Sequence, residues 1–162
     1  MQNGERMIIN TKWFGEIETE ESKIFTFENG IIGFSDFKKY AIVGDSEKEN
    51  GGNILWLQSL DEVSLAIPIV NPIIIKQDYD PLIEDELLKS IDANYQNADI
   101  DVFVTLTVPA DITKMTANLK APIIFDNDTM KGIQLIADND DYPVKFEIYD
   151  ILKANQNRKE GE

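Results

Sequence analysis

The chain contains no cysteine and no histidine. The missing thiols exclude a disulfide framework, a cysteine nucleophile and any cysteine-ligated zinc or iron–sulfur centre. The missing imidazoles exclude a Ser-His-Asp arrangement and histidine as base or metal ligand. No apolar run approaches ~18 residues, the length that marks a membrane helix. The opening MQNGERMIIN has no apolar h-region, so neither a signal peptide nor a membrane span is expected. A Gly-rich phosphate loop is also missing. The glycines of GIIGF, Gly30 to Phe34, have the wrong spacing for one and are expected to shape a turn between strands. Basic residues are scarce: 15 Lys and Arg face 30 Asp and Glu, for a net charge of −15. Such a field repels nucleic acid, speeds the approach of basic partners, and also serves plain solubility.

What is present describes one globular domain. The 162 residues, 43% hydrophobic, suffice for a core without disulfides or metals. The single domain is expected to span 1–162, with its core over about 7–150 and a polar tail, 151–162, that frays. In DIDVFVTLTV, Asp99 to Val108, Ile100, Val102, Val104, Leu106 and Val108 alternate with polar residues, which predicts a half-buried strand. Phe103 alone breaks the polar face, so it is expected to pack under something or meet a partner. Further strands are expected in MIIN, KIFTF, YAIV, ILWLQS, LAIPIV, PIIIK, PIIF, GIQLIA and VKFEIY. Pro68 lacks a backbone donor and predicts an edge or a bulge. Gly44 to Asn53 reads as a mobile loop, and Ser35 to Tyr40 as a weak helical turn. One helix is predicted in DYDPLIEDELLKSI, with Asp80 as N-cap, Pro81 at its first position, and Ile83, Leu87, Leu88 and Ile91 on one face. The fold class is therefore all-β and mainly antiparallel: a small β-barrel-like single domain with one short helix.

Carboxylates are the remaining candidates for chemistry. Asp126–Asp128 and Asp138–Asp141 resemble calcium-loop fragments, yet neither continues to the closing Glu of the twelve-residue loop, and solvated turn acids explain both. No metal or other cofactor is implied. KMTANLKAPIIF, residues 114–125, is a different case. Pro122 imposes an extended shape on Ala121, while Thr116 and Asn118 offer side-chain hydrogen bonds. Those bonds serve either local backbone groups or an incoming peptide at an edge or groove. Trp56 in ILWLQS reads as core.

The order of these motifs resembles the FliW family of flagellar assembly factors. MIINTKWFGEIE precedes KIFTFENGIIGFSDFKKYAIV, then ILWLQSLDEVSLAIPIVNP, a DYDP turn, VFVTLTVP, MTANLKAPIIF and DYPVKFEIY. The resemblance runs from Met7 to about Tyr149, which makes the first six residues an extension or an upstream start. It departs from the family at Ile32, where proline is common in GIPGF. The resemblance implies a small barrel and a cytoplasmic binding protein, not an enzyme, and a monomer is expected. It implies two partners, flagellin and the RNA-binding translational repressor CsrA, which compete and so couple flagellin synthesis to export. From the charge and the lack of long apolar runs, no direct contact with nucleic acid or membrane is expected. Candidate partner-binding residues are Phe103, Thr116, Asn118, Lys120 and Pro122, with the acidic trio Glu84, Asp85 and Glu86 toward CsrA. The other reading of the composition is a small barrel enzyme or carbohydrate-binding module, which the missing imidazole and thiol groups disfavour.

Overall fold

The computed structural model describes residues 5–44, 54–83 and 99–160. Its centre is a seven-stranded barrel. The strands are β3 (Phe25–Thr26), β4 (Lys39–Val43), β5 (Ile54–Ser59), β6 (Ala66–Val70), β7 (Ile100–Thr107), β9 (Ile123–Asp126) and β10 (Lys131–Gln134). They pair in the order β7-β6-β5-β4-β3-β10-β9, and β9 returns to β7 to close the ring. Every ladder of the ring is antiparallel except the single β3–β10 pair, Thr26 with Lys131. Outside the ring, β1 (Arg6–Thr11) and β2 (Gly15–Glu20) form a separate ribbon, and the short β8 (Thr116–Ala117) and β11 (Phe146–Glu147) extend the sheet beyond β7.

Period-two alternation places side chains inside and outside the ring. The interior holds Phe25, Phe27, Tyr40, Leu57, Ile69, Ile123 and Phe125, with Phe103 packed against them. The rings meet edge-on: Phe27 with Tyr40 at 5.4 Å and with Phe125 at 5.6 Å, and Phe25 with Phe125 at 4.9 Å. Such contacts add about 0.5–1.5 kcal/mol each beyond the area they bury. Phe103 thus points into the barrel, its ring 5.5 Å from Phe125. The aliphatic residues of β7 expected to face the core lie on the other side. Val104 and Leu106 pack outside the ring against Ile75, Tyr79, Met115, Leu119 and Ile148. Both faces of β7 are therefore covered.

Two helices contribute to that outer cover, and neither is the one expected. PIIIK forms α1 (Pro72–Ile75) in place of a strand, because Asn71 accepts a capping bond from the Ile73 amide and Pro72 takes the first helical position. The helix predicted from Pro81 does not begin there. Residues 80–83 form neither helix nor strand; there the Asp80 amide donates to the Tyr142 hydroxyl and the Leu82 amide to Asn139. The remainder of that segment lies outside the described residues, as does nearly all of Gly44 to Asn53. The tail expected to fray is helical: α2 spans Tyr149–Glu160. Ile151 and Leu152 pack on the outer cluster, and Asn155 donates to the Ile74 carbonyl, contacts that its polar composition conceals. Ser35 to Tyr40 forms a turn and then enters β4.

The proline and glycine expectations resolve geometrically. β6 is internal, but its ladder to β7 begins only at Ile69, so Pro68 sits where that side asks for no donor. In the turn Ile31–Phe34 the Phe34 amide donates to the Ile31 carbonyl, with Gly33 at φ 91°. Ile32 takes the position that favours proline in such turns. Here its amide donates to Gln134, a bond a proline could not make.

Two predictions test the interior. A Cβ on Gly132 would stand 2.3 Å from Phe27 Cζ, within a ring stack that has no room to yield. Gly132→Ala is expected to cost about 1–3 kcal/mol, read as a lower urea midpoint. An unchanged midpoint would show that Phe27 can swing away. The Tyr40 hydroxyl is buried with no hydrogen-bond partner among the described residues. Burial, with the charge of Asp61 adding to it, pushes its pKa up to about 12 from 10.0. The fold therefore favours the neutral phenol. This contribution is complete below pH 10 and is lost as pH rises through about 12. Tyr40→Phe should abolish that part of the alkaline destabilisation. At neutral pH it should be neutral or stabilising by up to about 1 kcal/mol, because an unsatisfied buried hydroxyl is removed.

Candidate functional site

The stretch 114–125 spends its hydrogen bonds on its own fold. Asn118 Oδ1 accepts from the amides of Lys120 and Ala121, at 3.0 and 3.2 Å. Lys120 Nζ donates to the Asn139 carbonyl at 2.8 Å. Pro122 is buried, and its carbonyl accepts from the Leu135 amide. The Leu119 carbonyl accepts the Tyr79 hydroxyl at 2.8 Å, and the Ala121 carbonyl accepts from the Gln134 side chain. Thr116 lies in β8, which is paired on both sides by β7 and β11, so no open edge exists there. Phe103 is turned into the barrel. The side chains of Asn118 and Lys120 thus satisfy backbone groups of the fold. Glu84, Asp85 and Glu86 lie outside the described residues.

The acidic turns are likewise engaged. Asp126 is buried, and its Oδ1 accepts from the Asp128 amide at 2.9 Å. Asn127 donates to Asp101 at 2.9 Å. Among the described residues no group of three acids is arranged to hold a metal ion. No helix of the described residues is long and apolar enough to cross a membrane.

A surface that sequence reasoning missed lies at the other end of the chain. The β1–β2 ribbon lays Met7, Ile9 and Ile17 over Ala41, Val43 and Trp56 on the outside of the barrel. Its tip is built by Thr11, whose hydroxyl donates to the Gly15 carbonyl at 2.7 Å and accepts from the Phe14 amide at 2.9 Å. Gly15 supplies the positive φ, 65°, that the return requires. Trp13 is held against Trp56, ring centroids 5.7 Å apart, with Lys12 Nζ 4.9 Å above its ring. Even so, Trp13 is 56% exposed and Phe14 45%.

One buried side chain pins this tip to the barrel. Gln58 Oε1 accepts from the Lys12 amide at 2.9 Å. Its Nε2 donates to the carbonyls of Ser59 and Val63, at 2.9 and 3.0 Å, and more weakly to Leu65. The ribbon tip and the β5–β6 turn, where Val63 is exposed, are thereby tied to a single amide. Ser59 Oγ accepts from the amides of Asp61 and Glu62 and fixes the same turn. The rim is acidic. Glu16, Glu18, Asp61 and Glu62 are exposed, and donors from the Ser64 hydroxyl and amide hold the Glu62 carboxyl below the usual carboxylate range. The signal was present in the sequence as two adjacent aromatics, Trp13-Phe14, in a turn ending at glycine.

The fold and its surface thus define a small acidic antiparallel barrel carrying a braced, aromatic-tipped ribbon. Comparison with known proteins gives its family. The family model described as FliW protein matches residues 8–148. A flagellar assembly factor FliW from Lachnospira eligens is 59% identical over 151 residues, covering 93% of this chain and 100% of that protein. Another from Lachnoclostridium phytofermentans is 50% identical over 156 residues, covering 96% and 99%. A crystal structure of the flagellar assembly factor FliW superimposes with a TM-score of 0.79 at 29% identity, covering 88% of this chain and 97% of that one. The chain belongs to the FliW family of flagellar assembly factors.

The brace is testable. Gln58→Leu keeps the volume but leaves the Lys12 amide and the Val63 carbonyl without their partner. It is expected to cost about 1–3 kcal/mol and to change the near-ultraviolet circular dichroism of the Trp13–Trp56 pair. An unaltered tryptophan signal would show that the tip is held by packing alone.

Proposed function

We propose that this chain acts in flagellar assembly as a cytoplasmic binding protein that takes flagellin before export and, in flagellin's absence, binds and antagonises the translational repressor CsrA. Flagellin synthesis would then follow its secretion. The observation that carries this reading is similarity along nearly the whole chain to proteins named flagellar assembly factor FliW, matched by the structure at a TM-score of 0.79. The chemistry of the chain agrees with a binding role. There is no imidazole or thiol, and the side chains of Asn118 and Asp126 are committed to turns. A net charge of −15 suits a basic RNA-binding partner better than RNA itself. The acids of 78–86 belong to the same field, and Asp78 pairs with Lys76 at 3.0 Å. A monomer in solution fits this reading.

The test is capture from the native cytosol on the immobilised full chain, followed by titration with purified flagellin and purified CsrA. Both proteins should be retained, and added flagellin should release CsrA. Retention of neither would overturn the proposal. Simultaneous retention of both on one molecule would overturn the competition. Retention on a sugar column would favour the carbohydrate-binding alternative.

A further inference from the structure

We infer that the tip of the β1–β2 ribbon, with Trp13, Phe14 and Val63 at its centre and Glu16, Glu18 and Glu62 around it, is the surface on which a basic protein partner docks. The inference rests on the reading above that a basic RNA-binding protein is among the partners, and it names the face that such a partner would meet.

Three observations converge here. The apolar centre is exposed, at 56%, 45% and 41% for Trp13, Phe14 and Val63, and tryptophan is among the side chains that dominate interface energetics. The centre is also preorganised. Thr11 sets the turn, Gln58 ties Lys12 and Val63 to one amide, and Trp56 backs Trp13. Little conformational entropy is left for a partner to remove. The rim selects the sign of that partner. On the solvent face of the ribbon Glu16, Glu18 and Glu20 stand in a row opposite Asn10, Ile8 and Arg6, while Met7, Ile9 and Ile17 are turned to the barrel. Arg6 pairs with Glu18 at 3.1 Å, and Lys12 lies over the Trp13 ring, so these two cations are already engaged within the patch. The acids are left in excess, and an apolar centre inside an acidic rim complements an apolar anchor flanked by Lys or Arg. Nucleic acid is repelled by the same rim.

The experiment is calorimetric titration of the full chain with purified CsrA across a salt series, with unfolding midpoints measured for every variant. The double variant Trp13→Ala, Phe14→Ala should weaken binding at least ~10-fold. The triple variant Glu16→Gln, Glu18→Gln, Glu62→Gln should weaken binding at low salt and flatten its salt dependence. Neutralising an equal number of acids elsewhere, Asp138→Asn, Asp140→Asn, Asp141→Asn, should leave affinity within ~2-fold. If the parent binds CsrA and both tip variants bind as tightly, the docking surface is wrong while the functional reading stands. If the parent binds no CsrA, the functional reading fails and this occupant with it. Tip-dependent self-association in light scattering, without CsrA binding, would assign the face to a second copy of the chain and overturn the inference.

Discussion

The ladder between β7 and β9 is the constraint on which the rest of the structure depends. It pairs Ile100–Phe103 with Ile123–Asp126 and converts an open sheet into a ring. Closure removes free edges within the ring, where unpaired amides and carbonyls would otherwise recruit other chains. It also fixes the interior volume. Phe25, Phe27, Phe103, Phe125 and Tyr40 fill that volume edge-on, and the filling is tight enough that β10 must pass Phe27 with a glycine.

Closure also explains the mixed character of KMTANLKAPIIF. The segment pairs with β7 twice, first as β8 at Leu106–Thr107 and then as β9 at Ile100–Phe103. Between these contacts it leaves the ladder at Asn118–Pro122, and each backbone group exposed by the excursion needs a partner. Asn118 caps the amides of Lys120 and Ala121, while the 135–143 segment and Tyr79 take several of the others. A residue run that looks half strand and half turn is both, in sequence. Its polar side chains are the means by which one segment serves the same strand twice.

The fold class was legible in the sequence because short alternating runs separated by turn residues permit few architectures. ILWLQS occupies the whole of β5 as expected, and GIIGF turns where its glycines suggested. The failures have two causes, one local and one tertiary. PIIIK has strand composition, but Asn71-Pro72 supplies a helix cap and start, and that local chemistry prevails over four residues. DYDP carries helix-start signals of the same kind, yet Asn139 and Tyr142 claim its backbone groups from afar. The tail looks unable to fold by composition, and a few distant contacts make it a helix. Tertiary partners decided the last two cases, and no local pattern announces them. The site was less legible still. The half-buried Thr116, Asn118 and Lys120 drew notice, and the bonds of Asn118 and Lys120 go to backbone groups. Trp13 and Phe14 did not, because adjacent aromatics in a turn look like buried ones until the ribbon's register is known.

A protein without imidazole or thiol must obtain selectivity from shape and charge. Here the two are built by different devices. Charge is distributed and soft: exposed carboxylates on a ribbon act over about a Debye length, ~8–10 Å, and are weakened by salt. Shape is local and stiff. The indole of Trp13 is braced by Trp56, its turn is closed by Thr11, and the whole is anchored through Gln58 to β5 of the closed ring. Gln58 is fully buried and still makes its bonds on both ends, so moving the tip would strand a polar group in the interior. The rigidity of the surface is therefore inherited from the barrel. Closure holds β5, β5 holds Gln58, and Gln58 holds the aromatic tip in one geometry before any partner arrives.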